Sequence, residues 1–384
     1  MPRSSWTPTA RCCRGNERRG DREGPAVGNS QARLKAAELT DDANSVIGPL
    51  RGYHHETYVF PLPGGARYKC RDPRPGLLWF DRRCFASEEQ LLCALSGRIS
   101  GIPDVIEIGG TILQRFIEGR TLGELFGAGC PVPDQILRQI IGLFRQMVEV
   151  PHESLSVQRR CISEDRPEDG DSDGFLERLV RFTEEQVYRA NLPEFEGLFQ
   201  DLGVTAESFR HLRKCVSGLR ERRFCLLHAD LHRENLIVDA GRRLWTIDWE
   251  LAVIGDPLYD LATHLHLMRY PPAQARAAAQ QWADTVDRVR PGSAAGWRHD
   301  LPLLLGYKRA QSLITDVIRV ALSLGSWPQP HWRQLAQAAL KLRRVLADAA
   351  LWLGLESVPG TRQIATALVR RQREYGRSPG YVPA

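Results

Sequence analysis

Short apolar runs between polar or glycine residues dominate the chain from residue 46 to 117. The runs are Val46–Arg51, Thr57–Leu62, Ala66–Arg71, Val105–Ile108 and Thr111–Ile117, with Leu77–Asp81 as a candidate additional strand. Each has the length of a β-strand. Pro63-Gly64-Gly65 is a tight-turn signal between the second and third runs. This pattern predicts a five-stranded sheet.

Helical periodicity replaces the strand pattern after residue 119. Within the strand region, Ser87 and Gln90 form a capping signature before an apolar helical pattern, which predicts one helix there. Thr121 and Glu124 repeat that signature at the start of the second region. The helices predicted beyond it are Pro133–Val150, Gly174–Ala190, Ala206–Leu219, Ala273–Arg290, Leu303–Leu324, Pro330–Gly354 and Arg362–Tyr375.

The two patterns divide the chain into an α+β fold of two lobes. We predict a small sheet-containing lobe at residues 45–118 and a larger, mainly helical lobe at 119–384. Residues 1–44 are predicted to be a disordered basic tail with a short lead-in helix from Gln31, because the first 32 residues are polar, rich in Gly and Arg, and aperiodic.

Composition narrows the class of protein. The 384 residues are 42% hydrophobic and 26% charged, without an apolar run of about 18 residues, so no membrane span is expected. The first 30 residues lack the apolar segment of a secretory signal, and the nine cysteines lack metal-type spacing. A cytoplasmic protein is the resulting expectation. The net charge of +6 comes from arginines dispersed among acids, which argues against nucleic acid as a partner.

Candidate chemistry is concentrated between residues 224 and 262. Asp230 and Asn235 lie on a predicted loop after one strand, and Asp248 ends a strand that returns beside that loop. Asp239-Ala240-Gly241 supplies the hairpin turn. The three strands are Phe224–Leu227, Leu236–Val238 and Leu244–Ile247. One acid is thus free to accept a proton, beside an amide oxygen and a carboxylate able to share a divalent cation, as phosphoryl transfer requires.

The ordered set resembles a known family. His228-x-Asp230-x-x-x-x-Asn235, followed by Ile247-Asp248-Trp249-Glu250, is similar to the motif of the aminoglycoside phosphotransferase and choline kinase superfamily, relatives of protein kinases. The steps of 5 and 13 residues between the acid, the amide and the second acid are typical of the kinase catalytic core. The resemblance implies a bilobal protein-kinase-like fold.

The resemblance also implies roles for individual residues. Asp230 would accept or orient the proton of the acceptor hydroxyl, Asn235 and Asp248 would hold Mg²⁺, and His228 would fix the loop. Trp249-Glu250 replaces the Phe-Gly of protein kinases, and no long activation segment follows. This departure favours a kinase that acts on small molecules.

The nucleotide is expected to bind between the lobes. Lys69, the only lysine between Lys35 and Lys214, would contact the α- and β-phosphates of ATP or GTP. Glu88 would hold Lys69, with Glu89 as the fallback partner. In the hinge, the carbonyl of Arg115 and the N–H of Ile117 would face the adenine. The loop Gly52–Thr57 would cover the phosphates.

The acceptor is predicted to be a cationic small molecule, most favourably an aminoglycoside-type antibiotic. Glu250, Asp256 and Asp260 gather carboxylates just beyond the catalytic loop, although Asp256 and Asp260 could equally cap helices and brace the loop. The alternatives are a choline, amino-alcohol or sugar kinase, and a nucleotide-binding pseudokinase. The sequence does not determine the oligomeric state.

Overall fold

The small lobe is built on one antiparallel sheet. The computed structural model describes residues 30–40, 43–50, 52, 54–74, 78–162, 166–325 and 331–375. Of the predicted disordered tail, residues 1–32, the first 29 lie outside the described residues, and the last two begin a helix. The strands are β1 (Ile47–Leu50), β2 (His55–Pro61), β3 (Arg67–Pro73), β4 (Val105–Ile108) and β5 (Thr111–Arg115), in the order β1-β2-β3-β5-β4. The predicted five-stranded sheet is confirmed.

Strand periodicity gives the sheet two different faces. Tyr58 and Phe60 on β2 are buried on one face with Cys70 of β3. Lys69 immediately precedes Cys70 on β3 and therefore points to the other face. There it is paired in register with Gln114 of β5. A single lysine is thus presented on the face opposite the apolar cluster.

Two helices flank this sheet, α1 (Gln31–Leu39) and α2 (Glu88–Leu95). Ala32 and Ala36 of α1 are fully buried against the Tyr58 face. The backbone N–H of Ala32 also donates to the Asp72 carboxylate. The packing of α1 leads us to propose that the small lobe begins at Gln31, ahead of the predicted boundary at residue 45. Ser87 caps α2 as expected, its hydroxyl accepting from the Gln90 N–H at 3.2 Å.

The large lobe is mainly helical. Its helices are α3 (Leu122–Leu125), α4 (Asp134–Val148), α5 (Ser172–Phe182), α6 (Leu192–Asp201), α7 (Ala206–Cys215), α8 (Pro257–Met268), α9 (Pro272–Val289), α10 (Trp297–Ser323), α11 (Trp332–Leu353) and α12 (Thr361–Tyr375). The α+β bilobal class is confirmed. Among the described residues, no helix combines the length and apolar composition that crossing a bilayer would require.

Short strands between α7 and α8 frame the candidate catalytic loop. They are β7 (Cys225–Leu227), β8 (Leu236–Val238), β9 (Leu244–Thr246) and β10 (Val253–Gly255), while β6 (Arg120–Thr121) precedes α3. Strand β8 lies between β6 and β9, and β7 pairs with β10, all antiparallel. Pairing of β6 with β8 places residue 120 in the large lobe, and we propose that the lobes divide at residues 116–119.

Residues 78–86, which we call the crossing segment, depart from the prediction. The candidate strand Leu77–Asp81 does not form over its described residues. The segment instead reaches α10, where Gln311 donates to the Asp81 carboxylate at 3.0 Å and the Arg319 guanidinium lies 4.6 Å from the Phe80 ring. Phe80 is 1% exposed, within the core of the large lobe. Tertiary burial of these aromatic and polar groups outweighs the local strand preference.

Candidate active site

The turn that carries the catalytic loop is held by Asp260 of α8. Its two carboxylate oxygens accept from the backbone N–H groups of His228 at 3.0 Å and Ala229 at 2.7 Å. Ala229 has φ +64°, a left-handed conformation that a non-glycine residue rarely adopts. Burial raises the pKa of Asp260 to about 6. Asp260 therefore braces the loop. Of the two predicted roles, acceptor-side carboxylate or loop support, this geometry matches loop support.

His228 links the loop to the end of β9. Its Nε2 donates to the carbonyl of Ile247 at 3.1 Å, and its Nδ1 accepts from the Asp230 N–H at 3.3 Å. The ring is fully buried, which lowers the pKa of His228 to about 4. A neutral imidazole that donates at one nitrogen and accepts at the other satisfies both bonds.

Asp230 lies between an amide and an imidazole. The Asn235 side chain donates to the Asp230 carbonyl at 3.0 Å and to its carboxylate at 3.1 Å. His232 Nε2 lies 3.3 Å from the same carboxylate oxygen. Burial acts to raise the pKa of Asp230, but the hydrogen bond and charge of His232 outweigh it and hold the pKa below its usual value. The carboxylate is kept ionised, as a proton acceptor requires.

Asn235 and Asp248 are brought together by a backbone bond. The Ile247 N–H donates to the Asn235 carbonyl at 3.0 Å, and the next residue, Asp248, turns into the left-handed region with φ +66°. No described residue donates a hydrogen bond to the Asp248 carboxylate. Burial, with the charges of Glu88 and Glu250, raises the pKa of Asp248 to about 7.

These features fit a divalent cation. The Asn235 amide oxygen and the half-buried Asp248 carboxylate are hard oxygen ligands. Mg²⁺ commonly takes one or two carboxylates together with substrate phosphates. Among the described residues no group of three or more His, Cys, Asp and Glu could hold a metal by itself. The ion that fits here is one completed by the phosphates of a nucleotide.

The expected ion pair between Lys69 and Glu88 is not formed. Arg71, two residues further on the same face of β3, contacts the Glu88 carboxylate at 2.5 Å and that of Glu89 at 2.8 Å. The Trp249 N–H also donates to Glu88 at 3.0 Å. A guanidinium spans two carboxylates better than an ammonium does, which explains the exchange of partner.

Lys69 is consequently left with a free ammonium group. No carboxylate of the described residues lies within 4.0 Å of its nitrogen. Burial and the neighbouring Arg71 lower the pKa of Lys69, while Glu88 and Asp248 act in the opposite direction. Among the described residues, the cleft thus presents a half-buried lysine without a carboxylate partner, within the electrostatic reach of Glu88 and Asp248.

Glu250 is engaged by the small lobe. Its carboxylate meets His54 Nδ1 at 2.7 Å and Arg83 at 2.6 Å, with His55 at 3.6 Å. Trp79 of the crossing segment stacks on His54 and lies 3.7 Å below the Arg83 guanidinium. His54 and Arg83 therefore bind the Glu250 carboxylate in this structure, and its contact with an acceptor amine stays a prediction.

Asp256 is a structural residue of the large lobe. Arg222 donates to both of its oxygens at 2.8 and 2.7 Å, and to Asp300 at 2.6 Å. All three side chains are at most 1% exposed. Asp256 also caps α8 by accepting from the Leu258 N–H. Its carboxylate is unavailable to an acceptor.

The predicted hinge joins β5 to β6. The N–H of Arg115 donates to Asp104 and that of Phe116 to Arg67, both at 2.8 Å. Neither bond uses the two groups expected to face adenine, the Arg115 carbonyl and the Ile117 N–H. Their contact with adenine stays a prediction.

The family follows from a comparison with known proteins. A family model described as the phosphotransferase enzyme family matches residues 46–292, more than half of the chain. The chain belongs to this family. The predicted resemblance and the enzyme class, a phosphotransferase, are therefore confirmed.

Several solved structures resemble the chain at low identity. A macrolide 2′-phosphotransferase from Brachybacterium faecium is 17% identical over 85% of this chain and 99% of its own, with a TM-score of 0.48. A choline/ethanolamine kinase family protein from Mesorhizobium loti is 17% identical over 88% and 98%, with a TM-score of 0.47. An aminoglycoside phosphotransferase bound to ADP and hygromycin B is 16% identical over 89% and 98%, with a TM-score of 0.45. No curated protein matches the chain.

Sequence reasoning missed a polar chain beside the catalytic loop of this phosphotransferase. Lys308 of α10 is 6% exposed and donates to Gln311 at 2.6 Å, and Gln311 in turn donates to Asp81. Lys308 also reaches the Tyr259 hydroxyl at 3.4 Å. Burial, together with the charge of Asp230, raises the pKa of Asp81, while Lys308 opposes the shift. The scarcity of lysine, which identified Lys69, was a signal for Lys308 too.

Proposed function

We propose that this phosphotransferase transfers the γ-phosphate of ATP or GTP to a hydroxyl group of a small molecule. The observation that carries the proposal is the placement of Asp230, Asn235 and Asp248 around one short loop. Asn235 donates to Asp230, and the backbone bond from Ile247 holds Asp248 next to Asn235. A proton acceptor and two metal-ligating oxygens are thereby juxtaposed, which suits in-line attack on a bound phosphate.

Asp230 acts on the acceptor. Its ionised carboxylate takes or orients the proton of the attacking hydroxyl, and Asn235 and His232 fix its orientation. Because both partners bind the same carboxylate oxygen, the other oxygen is left to meet the hydroxyl. Positioning of the reactants then supplies much of the rate enhancement.

Asn235 and Asp248 would hold Mg²⁺, which supplies charge neutralisation at the phosphates when it is bound. Lys69 contributes a second positive charge from the small-lobe side. Its ammonium has no carboxylate partner and faces the same cleft, so it is free to bind the non-transferred phosphates. Glu88 supports this site indirectly, through Arg71 and the Trp249 backbone.

The acceptor is proposed to be cationic, with an aminoglycoside-type molecule as the first candidate. Glu250 is occupied by His54 and Arg83, so the acidic group on the acceptor side is Asp81. Its carboxylate is half-buried, and burial together with the negative charge of Asp230 raises its pKa. An amine bound by Asp81 would bring a neighbouring hydroxyl towards Asp230.

The test is nucleotide turnover with a panel of acceptors. Purified protein, Mg²⁺ and ATP or GTP are incubated with aminoglycosides, choline and sugar alcohols, and diphosphate release and the phosphorylated product are measured. We expect release to depend on an amine-bearing acceptor and to disappear in Asp230→Asn. Nucleotide binding without transfer to any acceptor would favour the pseudokinase alternative. Productive use of an uncharged sugar alone would remove the cationic acceptor and leave the kinase.

A further inference from the structure

The crossing segment is joined to the large lobe by a short backbone pairing. Phe85 and Arg159 form an antiparallel bridge. The Arg160 N–H donates to the Cys84 carbonyl at 2.8 Å, and the Ala86 N–H to Gln158 at 2.9 Å. The pairing brings together two stretches that lie more than seventy residues apart in the chain.

Two cysteine side chains meet across this pairing. The Sγ atoms of Cys84 and Cys161 are 3.6 Å apart, and both thiols are free. Cys84 is 4% exposed, within the core of the large lobe, whereas Cys161 is partly exposed. One sulfur is thus accessible to a small reagent, and the other lies behind it in contact distance.

The surroundings favour a thiolate at the accessible position. The hydrogen bond from Cys84 lowers the pKa of Cys161, with further lowering by Arg166 and Arg82, and the same bond and burial raise the pKa of Cys84. Arg166 also donates to the Cys161 carbonyl at 2.7 Å. A partly exposed thiolate in a basic environment is the form of cysteine that oxidants attack.

We propose that Cys84 and Cys161 are a reversible disulfide site that ties the crossing segment to the large lobe when a peroxide is present. The Cys161 thiolate attacks one peroxide oxygen, the O–O bond breaks, and Cys161 becomes a sulfenic acid with release of one water after protonation. Cys84 then attacks the Cys161 sulfur and expels a second water. Both thiols are oxidised, the peroxide is reduced, and a thiol reductant reverses the step.

The link would act on the segment that borders the acceptor side. Asp81 and Arg83 lie within three residues of Cys84 and contact Gln311 and Glu250 respectively. A covalent bond at Cys84 would therefore restrict the position of both side chains. It also closes a long loop in the unfolded chain, which stabilises the folded state.

The experiment detects the bond itself and does not depend on phosphotransfer. Reduced protein is treated with a small excess of hydrogen peroxide, alkylated, and digested without reduction for mass spectrometry. We expect a peptide pair linked through Cys84 and Cys161, lost on treatment with dithiothreitol. The thermal midpoint should rise on oxidation and return on reduction. Failure of the kinase proposal would leave these results unchanged.

Variants separate this pair from the other thiols. Cys93→Ser, at an exposed position on α2, should keep both the linked peptide and the thermal shift. Cys161→Ser should lose both. Cys84→Ala is tested as a second variant, with alanine chosen because Cys84 is buried. In Cys84→Ala, Cys161 should accumulate as a sulfenic acid that a dimedone-type reagent traps. Two alkylated, unlinked peptides from the oxidised protein, or an equal shift in Cys161→Ser, would overturn the proposal.

Discussion

Asn235 donates one side-chain amide to both the carbonyl and the carboxylate of Asp230, at 3.0 and 3.1 Å. The amide nitrogen is thereby committed to Asp230, and the amide oxygen of Asn235 is left for a cation. In the proposed mechanism, Asn235 both orients the proton acceptor and presents a metal ligand. That arrangement would make the two functions of the loop mutually dependent.

Replacing Asp230 by Asn should separate catalysis from binding. The change preserves shape but removes the proton acceptor, so turnover should fall by roughly 10²–10⁴. Nucleotide affinity, measured by calorimetry with Mg²⁺, should persist because Asp230 is not one of the proposed ligands. Asp284→Asn, on the exposed face of α9, is the matched control and should keep full turnover. Equal turnover in the two variants would exclude Asp230 as the catalytic acid–base group.

Lys69→Ala should weaken nucleotide use with little effect on folding. The Lys69 ammonium has no carboxylate partner among the described residues, so its removal leaves no carboxylate unpaired. The variant therefore loses only a positive charge at the proposed phosphate site. We expect KM for the nucleotide to rise while the thermal midpoint stays close to that of the unaltered protein. Lys341→Ala, at a half-exposed ion pair with Asp316, serves as the control. An unchanged KM would contradict the assignment.

Arg71→Ala should instead destabilise the fold. Arg71 is the charged partner of Glu88, whose side chain is 2% exposed, and its removal leaves a buried carboxylate without a counter-ion. Breaking such a pair costs roughly 3–5 kcal/mol. Denaturant unfolding should show this loss, and Glu88→Gln combined with Arg71→Ala should restore part of it. A larger loss in Lys69→Ala than in Arg71→Ala would show that the pairing is misassigned.

The pH dependence of metal binding should report Asp248. A proton and Mg²⁺ compete for its carboxylate, and its pKa is raised to about 7. Apparent Mg²⁺ affinity in the presence of nucleotide should therefore rise with pH up to about 7 and level off above it. In the metal-free protein, the contribution of Asp248 to stability has the opposite dependence on pH. The folded state holds this proton more tightly than the unfolded state does. The contribution of Asp248 to the free energy of unfolding therefore falls as the pH rises from about 3.8, the ordinary pKa of an aspartate, to about 7.

The check is a calorimetric or thermal-shift titration of Mg²⁺ at several pH values between 5.5 and 8.5, which are about the limits of the transition. Asp248→Asn should bind Mg²⁺ weakly, without this dependence. A pH profile shared by both proteins would mean that another group titrates.

Asp81→Asn should change acceptor recognition alone. If Asp81 binds the amine of the acceptor, KM for amine-bearing acceptors should rise while KM for the nucleotide stays constant. The exposed Asp104, which pairs with Arg115, provides Asp104→Asn as a control. A rise in nucleotide KM, or no change at all, would remove Asp81 from the acceptor site. Gln311 donates to the Asp81 carboxylate, so Gln311→Leu should also raise KM for amine-bearing acceptors.

Local patterns were sufficient for the catalytic loop and the sheet. Strand-length apolar runs and the turn at Asp239 predicted the hairpin of β8 and β9, because strand alternation and turn chemistry depend on neighbours in the chain. The same reasoning placed Lys69 on a strand and Asp230, Asn235 and Asp248 around one turn. Family membership confirmed the phosphotransferase class that this spacing indicated.

The partners of charged residues were decided by the tertiary structure. Glu88 was expected to pair with Lys69, but Arg71 lies on the same strand face with a fork that reaches both Glu88 and Glu89. Lys69 and Arg71 are both cationic and lie on the same face of β3. Their spacing in the sequence therefore could not indicate which of them pairs with Glu88. Glu250 similarly lies almost two hundred residues from the small-lobe histidine that binds it.

The crossing segment shows that the sequence alone could not predict all of the backbone structure either. Its apolar residues have strand length, yet Phe80 is buried in the large lobe and Asp81 bonds to α10. Whether a short run joins a sheet or packs elsewhere depends on which surface is available to bury it, and that surface is built by residues far along the chain. The sequence by itself determined the order of elements and the spacing of the reactive groups. Only the packing of the lobes decided which side chains face one another.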